Sequence, residues 1–408
     1  MQKRIIIAIC LCGTTLLSCG RKPSIKDSST TDSTAAPVET KKPNAEYEPA
    51  FKGQTRAPGI HTKAEYRVDV LTEELNSPWG IKALPDGRLL ITEKEGVMRI
   101  AKTDGSLSAP ITGIPEVNTN GQGGLLGVTI DPNFASNRMI YWTFAENFDK
   151  GTLTAAAKGR LSDDETKIEN AQVIYRATPA YDGNLHYGGR ILFDAKGNLF
   201  LSTGERSDLV TRPQAQQLNS SLGKIIYITK DGNPVPGNPL ASEAGAKPEL
   251  FTYGHRNVQG LALHPETGDL WENEFGPRGG DEVNHIMAGK NYGWPTITYG
   301  IEYSGKKVGT AIQQKDGLEQ PRYYWDPSVS PSGMTFFAGN SIPEWKNNLF
   351  IGALSGMHIV RLVIEDNKIV GEERLLEDQF QRFRDITQGK DGALYAITDQ
   401  GRLYRVGK

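Results

Sequence analysis

The sequence predicts an all-β protein, a six-bladed β-propeller of four-stranded antiparallel blades. Three observations carry this reading. A turn bearing Asp or Asn, usually with Gly, followed by a short apolar strand recurs along the chain; Gly is frequent, at 45 of 408 residues; and long helical periodicity is scarce. The clearest copies are Pro85-Asp-Gly-Arg-Leu-Leu-Ile-Thr-Glu93, Ala195-Lys-Gly-Asn-Leu-Phe-Leu-Ser-Thr-Gly-Glu205, Glu266-Thr-Gly-Asp-Leu-Trp-Glu-Asn-Glu274 and Lys390-Asp-Gly-Ala-Leu-Tyr-Ala-Ile-Thr-Asp399. Weaker copies begin at Ser136 and Trp345. Such pairs make hairpin turns, and the runs after them suit strands. The copies recur about once per 57 residues, against about 40 to 50 for a plain propeller blade, which leaves room for enlarged loops. A run from Tyr66 to Leu71 is expected to complete the last blade. Two stacked sandwiches would explain the even spacing less well.

Before this repeat the chain has a different character. Lys3 and Arg4 precede an apolar run from Ile5 to Leu17 that ends in Leu16-Leu17-Ser18-Cys19-Gly20. A basic cap, a short apolar core and small residues read as a signal peptide over residues 1–18. Cys19 in this setting resembles a bacterial lipobox, which implies lipidation of its thiol and an exported lipoprotein on the periplasmic side or outer membrane, held to the membrane through the lipid only. The alternative is an ordinary signal peptide with an incidental cysteine. All three cysteines, Cys10, Cys12 and Cys19, lie in the first 19 residues and the mature chain would retain only Cys19, so no internal disulfide, thiolate metal cluster, cysteine nucleophile or haem-attachment motif is expected. Residues 19–62, rich in Ser, Thr, Pro, Lys and Glu, are expected to form a disordered tether spanning ~35 Å root-mean-square. The propeller is then expected over residues 63–408. A formal net charge of −2 gives no basic footprint for nucleic acid.

Five stretches carry candidate chemistry. In Asn273–Pro295, NEFGPRGGDEVNHIMAGKNYGWP, a Gly276-Pro277 turn with exposed carbonyls precedes Asp281 and Glu282; carbonyls beside carboxylates suit a hard cation such as calcium, although a solvated loop reads equally well. Gly121-Gln-Gly-Gly-Leu-Leu-Gly127 lets backbone approach a ligand and offers the Gln122 amide, but lacks the Gly-Lys-Ser/Thr of a phosphate loop and can equally be a blade crossover. His186, in Asn184-Leu-His-Tyr-Gly-Gly-Arg190, sits on a loop before a strand, where imidazole could take a proton from a hydroxyl; a structural hydrogen-bonder is the plainer reading. Tyr253-Gly-His-Arg-Asn-Val-Gln-Gly-Leu-Ala262 crowds Arg256, Asn257 and Gln259 before a strand, with a ligand contact and an inter-blade salt bridge both open. Arg382 and Arg384, two apart on a strand, fall on one face and repel unless an anion lies between them or each has its own acid.

In this order the motifs GQGGLLG, HYGGR, YGHRNVQGLA, EFGPRGGDEVN, NYGWP and RFRD resemble the soluble, pyrroloquinoline quinone (PQQ)-dependent aldose sugar dehydrogenases, relatives of soluble glucose dehydrogenase, from about Leu75 to Arg405. The resemblance implies a six-bladed propeller with PQQ and calcium at the top centre. It implies that His186 is the general base on the anomeric hydroxyl, with hydride passing to the quinone. Arg256 would stand beside the reacting quinone oxygen, with Gln122 and Asn257 as polar contacts at the same end. The Gly276 and Pro277 carbonyls would hold the calcium that polarises the quinone, and Arg382 and Arg384 the PQQ carboxylates. Asp281, Glu282 and Tyr292 lie where a second, structural calcium would sit. The substrate implied is an aldose, oxidised to a lactone, and the electrons leave to an external acceptor. Two departures stand out. Leu185 replaces the acid that precedes the catalytic histidine in the glucose dehydrogenase branch, leaving Asp182 as the nearest acid in sequence, and Gly352–Gly356 offers Ser355 where that branch has a lysine. The rival readings are a non-catalytic propeller, stabilised by calcium, that binds a sugar or a partner protein, and a calcium-dependent lactonase.

Overall fold

The computed structural model describes residues 35–408, so the predicted signal peptide and Cys19 lie outside the described residues. Six antiparallel sheets follow one another along the chain. Blade 1 is Pro78–Ala83, Leu89–Glu93 and Val97–Ala101. Blade 2 is Leu125–Ile130, Met139–Phe148, Gly151–Leu161 and Ile168–Arg176. Blade 3 is Ile191–Phe193, Asn198–Ser202, Lys224–Thr229 and Leu250–Tyr253. Blade 4 is Val258–Leu263, Leu270–Glu274, Asp281–Ile286 and Tyr323–Trp325. Blade 5 is Pro331–Phe336, Leu349–Ala353, His358–Glu365 and Lys368–Leu375. Blade 6 takes Phe383–Gln388, Leu394–Thr398 and Leu403–Gly407 from the end of the chain and Arg67–Thr72 from its beginning. That early strand pairs with the last one, Val68 opposite Val406, and so closes the ring as expected. The first strands of successive blades touch around the full circle, including blade 6 against blade 1. One blade departs from the four-stranded expectation: in blade 1 the outer strand is reduced to two bridges, Met98 with Ile111 and Ala101 with Leu107.

All six copies of the sequence repeat fall on one element, the turn into the second strand of each blade. That strand is buried on both faces in blades 1, 4, 5 and 6; in blades 1, 5 and 6 it therefore reads as a largely apolar run without alternation, whereas in blade 4 it buries Glu272, Asn273 and Glu274. Its neighbours are the flanking blades. Separate apolar cores fill each junction, such as Leu90, Ile100 and Trp142 between blades 1 and 2, or Trp345, Phe350 and Leu394 between blades 5 and 6. At ~1.5–3 kcal/mol per fully buried large apolar side chain, these junctions hold the ring and leave its centre free for polar groups.

The centre is stitched by hydrogen bonds from each blade to the next. Thr92 Oγ1 donates to Leu126 O (2.6 Å), Thr143 Oγ1 to Gly189 O (2.5 Å) and Ser202 Oγ to Val258 O (3.0 Å). Asn273 Nδ2 donates to Ser332 O (2.8 Å), Ser332 Oγ to Phe383 O (2.7 Å), and Ile81 N to Asp385 Oδ2 (2.9 Å). Arg190, the last residue of HYGGR, crosses the axis to Asp385 at 2.5 Å and stacks over Trp79. The ion pair is buried and its partners are further hydrogen-bonded, which such a pair requires.

Residues 35–62 differ from the tether reading. They lie along blades 4 and 5 as an ordered segment, with Gln54 fully buried and Ala57 1% exposed. Glu39 pairs with Arg374 at 2.8 Å, Gly59 bridges Glu372, and Ala57 N donates to Tyr323 Oη. Composition predicts disorder from the scarcity of apolar side chains, but this segment is held largely by hydrogen bonds and one buried ion pair, which composition does not register.

Candidate functional site

Because first strands begin, and second strands end, at the same end of the ring, the loops before the first strands and the residues after the second strands meet there. They enclose a cavity of about 760 Å³ lined by Gln122, His186, Gly276, Pro277, Arg382 and Arg384, among others. Six predicted site residues from four blades thus face one space, and Asp281 lines it as well.

His186 is held from three sides. Its φ of +47° is left-handed, a conformation uncommon for a residue with a side chain and found disproportionately at functional positions. Its backbone N–H donates to Gln122 Oε1 (2.8 Å), so the Gln122 amide positions the histidine. Its Nδ1 lies 2.6 Å from Glu205 Oε1, which sets the tautomer with hydrogen on Nδ1 and leaves the Nε2 lone pair available. Gly204 is required beneath this pair: a Cβ there would come within 2.2 Å of His186 O. Arg206 clamps the same loop, donating to Leu185 O, Thr152 O and Gly183 O while stacking on Tyr187. Burial first, and then the Arg256 charge, push the imidazole pKa from its usual 6.5 down to about 4, with Glu205 working in the opposite direction. The ring is therefore neutral, and able to accept a proton, throughout the neutral range.

Glu205 fills the role that sequence reading sought beside Leu185 and Asp182. It was on view as the last residue of a repeat copy. The other clear copies also end in acids, and each acid serves the loop that enters its own blade. Glu93 accepts from Asn76 N, Glu274 from Arg256 N while lying 3.2 Å from His255 Nδ1, and Asp399 bridges Arg382 and Arg384. Removing Glu205 takes away the one influence that raises the His186 pKa, so Glu205→Gln should leave a weaker base. We expect the acid limb of kcat/KM to lie below pH 6.5 in the natural protein and to move lower still in Glu205→Gln, with kcat down about 10- to 100-fold. A limb that stays in place would show that Glu205 does not act through His186.

Arg256 and Asn257 stand behind this front. Arg256 is 4% exposed and donates to Gly276 O at 2.7 Å, with Nε unpartnered; it opens onto a small pocket beside the cavity that it shares with Glu274 and Glu282. Asn257 is fully buried, accepts from Gly188 N (3.0 Å) and leaves Nδ2 without a partner. Arg382 and Arg384 point into the cavity, yet their mutual repulsion is partly met from within. Asp399 lies 2.8 Å from Arg382 Nε and 2.7 Å from Arg384 Nε. Burial works to raise the Asp399 pKa, but Arg384 and Arg382 outweigh it and hold it below the usual range. Two guanidiniums against one carboxylate leave a net positive charge at this end. Lys94, directly after Glu93, is a further cavity cation that sequence reading missed.

The predicted second metal set is spread apart. Asp281 accepts from Gly276 N, Val329 N and Ser330 N, so it braces the Gly276-Pro277 turn. Tyr292 Oη is occupied by His285 O and Met287 N. Glu282 is half-buried opposite Glu274, and loss of solvent around its carboxyl, with the Glu274 charge beside it, raises its pKa well above the usual range. The ligand atoms that group most closely are those of His255, Glu272 and Glu274, within 4.8 Å of one another. Ser355, the residue where a lysine is absent, lines the cavity and lies 2.8 Å from Ser330 Oγ.

Residues 75–405 match the Glucose / Sorbosone dehydrogenase family. The chain belongs to that family. It is 42% identical over 348 residues to aldose sugar dehydrogenase YliI of Escherichia coli K12, covering 84% of this chain and 93% of the relative. A solved glucose dehydrogenase is 45% identical with a TM-score of 0.81, covering 84% of this chain and 99% of that one. The PQQ-bound aldose sugar dehydrogenase of Streptomyces coelicolor is 28% identical with a TM-score of 0.70, covering 85% and 99%.

Proposed function

We propose that the protein is a PQQ- and calcium-dependent aldose dehydrogenase that oxidises the anomeric carbon to a lactone and passes two electrons to an external acceptor. The observation that carries this reading is the His186–Glu205 pair, a neutral imidazole oriented by a buried carboxylate in the lining of a cavity that Arg382 and Arg384 also line. The residues present fit both groups. Arg382 and Arg384 leave uncompensated positive charge for the carboxylates of a quinone, and the Gly276 and Pro277 carbonyls line the same space for a hard cation. Gly276 O already accepts from Arg256, so a metal there would use its second lone pair. When bound, calcium-polarised PQQ supplies the hydride acceptor. The protein does the rest: His186 Nε2 takes the hydroxyl proton, Glu205 stabilises the imidazolium that results, and Gln122 keeps the loop in register. The Arg256 guanidinium, fixed behind Gly276, supplies positive field at the reacting end. A binding-only propeller would have no use for a base oriented by a buried carboxylate, and a lactonase centred on calcium calls for several carboxylates in the cavity, where Asp281 and Asp399 are already committed. Glu282, with Glu272, Glu274 and His255 beside it, is the place for a second, structural calcium, and Tyr292 contributes packing through its stack on His255.

The test is reconstitution of purified apoprotein with PQQ and calcium, followed by a panel of aldoses with an artificial dye acceptor. Dye reduction that needs both additions is expected; reduction without PQQ, or none with any aldose, overturns the reading. We also propose that Cys19 carries lipid and anchors the exported protein. Cys19→Ala should move the protein from the membrane to the soluble fraction, and unchanged fractionation would refute the anchor.

A further inference from the structure

The ordered N-terminal segment reaches the cavity. Asn44 lines its rim, although it lies well before the family match that begins at residue 75. It is firmly placed there. Asn44 N and Nδ2 donate to Asp326 Oδ1 at 2.9 and 2.7 Å, and Ala45 N donates to Asp326 Oδ2 at 2.9 Å. Arg56 ties the segment to itself and to the propeller, donating to Glu39 O, Lys41 O and Asp326 O. These contacts leave the Asn44 side-chain oxygen Oδ1 facing Arg278, whose Nε donates to it at 3.1 Å. Arg278 follows the Gly276-Pro277 turn, lines the cavity, and is pinned through its backbone to Ile301. Arg382 and Arg384 share Asp399, whereas Arg278, like Lys94, has no carboxylate within salt-bridge distance among the described residues; Lys94 Nζ is turned to the Gly121 carbonyl, and Arg278 keeps its terminal nitrogens for the cavity mouth. A neutral amide orients it and leaves its charge uncancelled.

We propose that Arg278, held by the positioning residue Asn44, is an anion-recognising group at the mouth of the cavity that favours aldoses carrying a phosphate or carboxylate over neutral ones. The proposal rests on the aldose dehydrogenase reading for its substrate class. A guanidinium with a fixed Nε still presents its two terminal nitrogens as a fork, the geometry that suits phosphate and carboxylate oxygens. Arg278 is exposed, so the preference is modest and sensitive to salt.

The experiment compares glucose 6-phosphate, glucuronate and glucose on the reconstituted full chain. The natural protein should show a higher kcat/KM for the acidic sugars, and that preference should shrink at high salt. Arg278→Ala should lower the acidic-to-neutral ratio of kcat/KM about three- to tenfold, chiefly through KM. Asn44→Ala should lower it less, and Arg278→Lys should restore part of it. In parallel, binding of glucose 6-phosphate and glucose to the apoprotein is measured by calorimetry, a readout that does not depend on turnover. If no aldose is oxidised but Arg278→Ala still weakens glucose 6-phosphate binding, the anion site stands and the dehydrogenase reading fails. A ratio unchanged in both alanine variants, or a ratio unchanged while PQQ affinity falls in Arg278→Ala, overturns the proposal; the second result would place Arg278 on the cofactor.

Discussion

Replacing His186 should abolish sugar oxidation while leaving the cofactor bound. A positioned general base contributes about 10²- to 10⁴-fold, so kcat is expected to fall by that factor, while the dissociation constant for PQQ in His186→Asn stays within about threefold of the natural protein. Asparagine is the variant of choice for a structural reason. The backbone at this position has a φ of +47°, which asparagine tolerates and alanine does not, and the Glu205 carboxylate beneath it is buried and needs a donor. The Asn side chain is short for that contact, but it supplies N–H groups and no base. His186→Ala would combine the loss of the base with strain and an unpaired acid, so a fall in its activity alone would say little. Steady-state kinetics beside a PQQ titration separates the outcomes. Full activity in His186→Asn removes the base, and loss of PQQ binding in that variant recasts His186 as a cofactor contact.

Much of the architecture was legible because the repeat falls on the second strand of every blade, which is fully buried in four blades and largely buried in the other two. Its apolar residues fill the junctions, while its polar residues, Thr92, Thr143, Ser202 and Asn273, reach the next blade near the axis, so the same strand encodes both ring closure and blade stacking. The outer strand of blade 1 was not legible in this way, because bridges at Leu107 and Ile111 need no continuous strand pattern. In the site, His186 and the paired arginines could be singled out because their loops carry glycines or unusual charge spacing. Glu205 was passed over because the search for its partner ran along the chain next to the histidine, whereas a β-hairpin brings together residues 19 apart. The same geometry applies to Arg382 and Arg384, whose acid lies 17 and 15 residues on. A rule follows from these cases: in a propeller, the partner of a residue before the first strand is sought at the end of the second strand of the same blade. The docking of Asn44 on Asp326, 282 residues away, falls under no such rule, since nothing periodic connects the two.

The second large effect is expected at the cationic wall, where charge is reversed as well as removed. Arg382, Arg384 and Asp399 together carry a net charge of about +1, and the double variant Arg382→Ala/Arg384→Ala leaves Asp399 alone, at about −1. Hydrogen bonds to charged groups contribute ~1.5–3 kcal/mol each, so losing two should weaken PQQ binding about 10²- to 10⁴-fold. The residual acid gives this variant a distinctive pH dependence. In the natural protein the arginines hold the Asp399 pKa below the usual range despite burial, so the carboxylate stays ionised at every working pH. Its pairing stabilises the fold above the ordinary carboxyl pKa and loses that contribution only as pH falls through the depressed value. Without the arginines only burial acts, and it raises the pKa; protonation then removes the repulsion. PQQ affinity of the double variant should therefore recover in part as pH is lowered, whereas the natural protein should show no such gain. Adding Asp399→Asn to the double variant should give the same recovery at neutral pH and abolish the pH dependence. If PQQ binds the double variant as tightly as the natural protein, the arginines serve only to satisfy Asp399 and the cofactor is held elsewhere in the cavity.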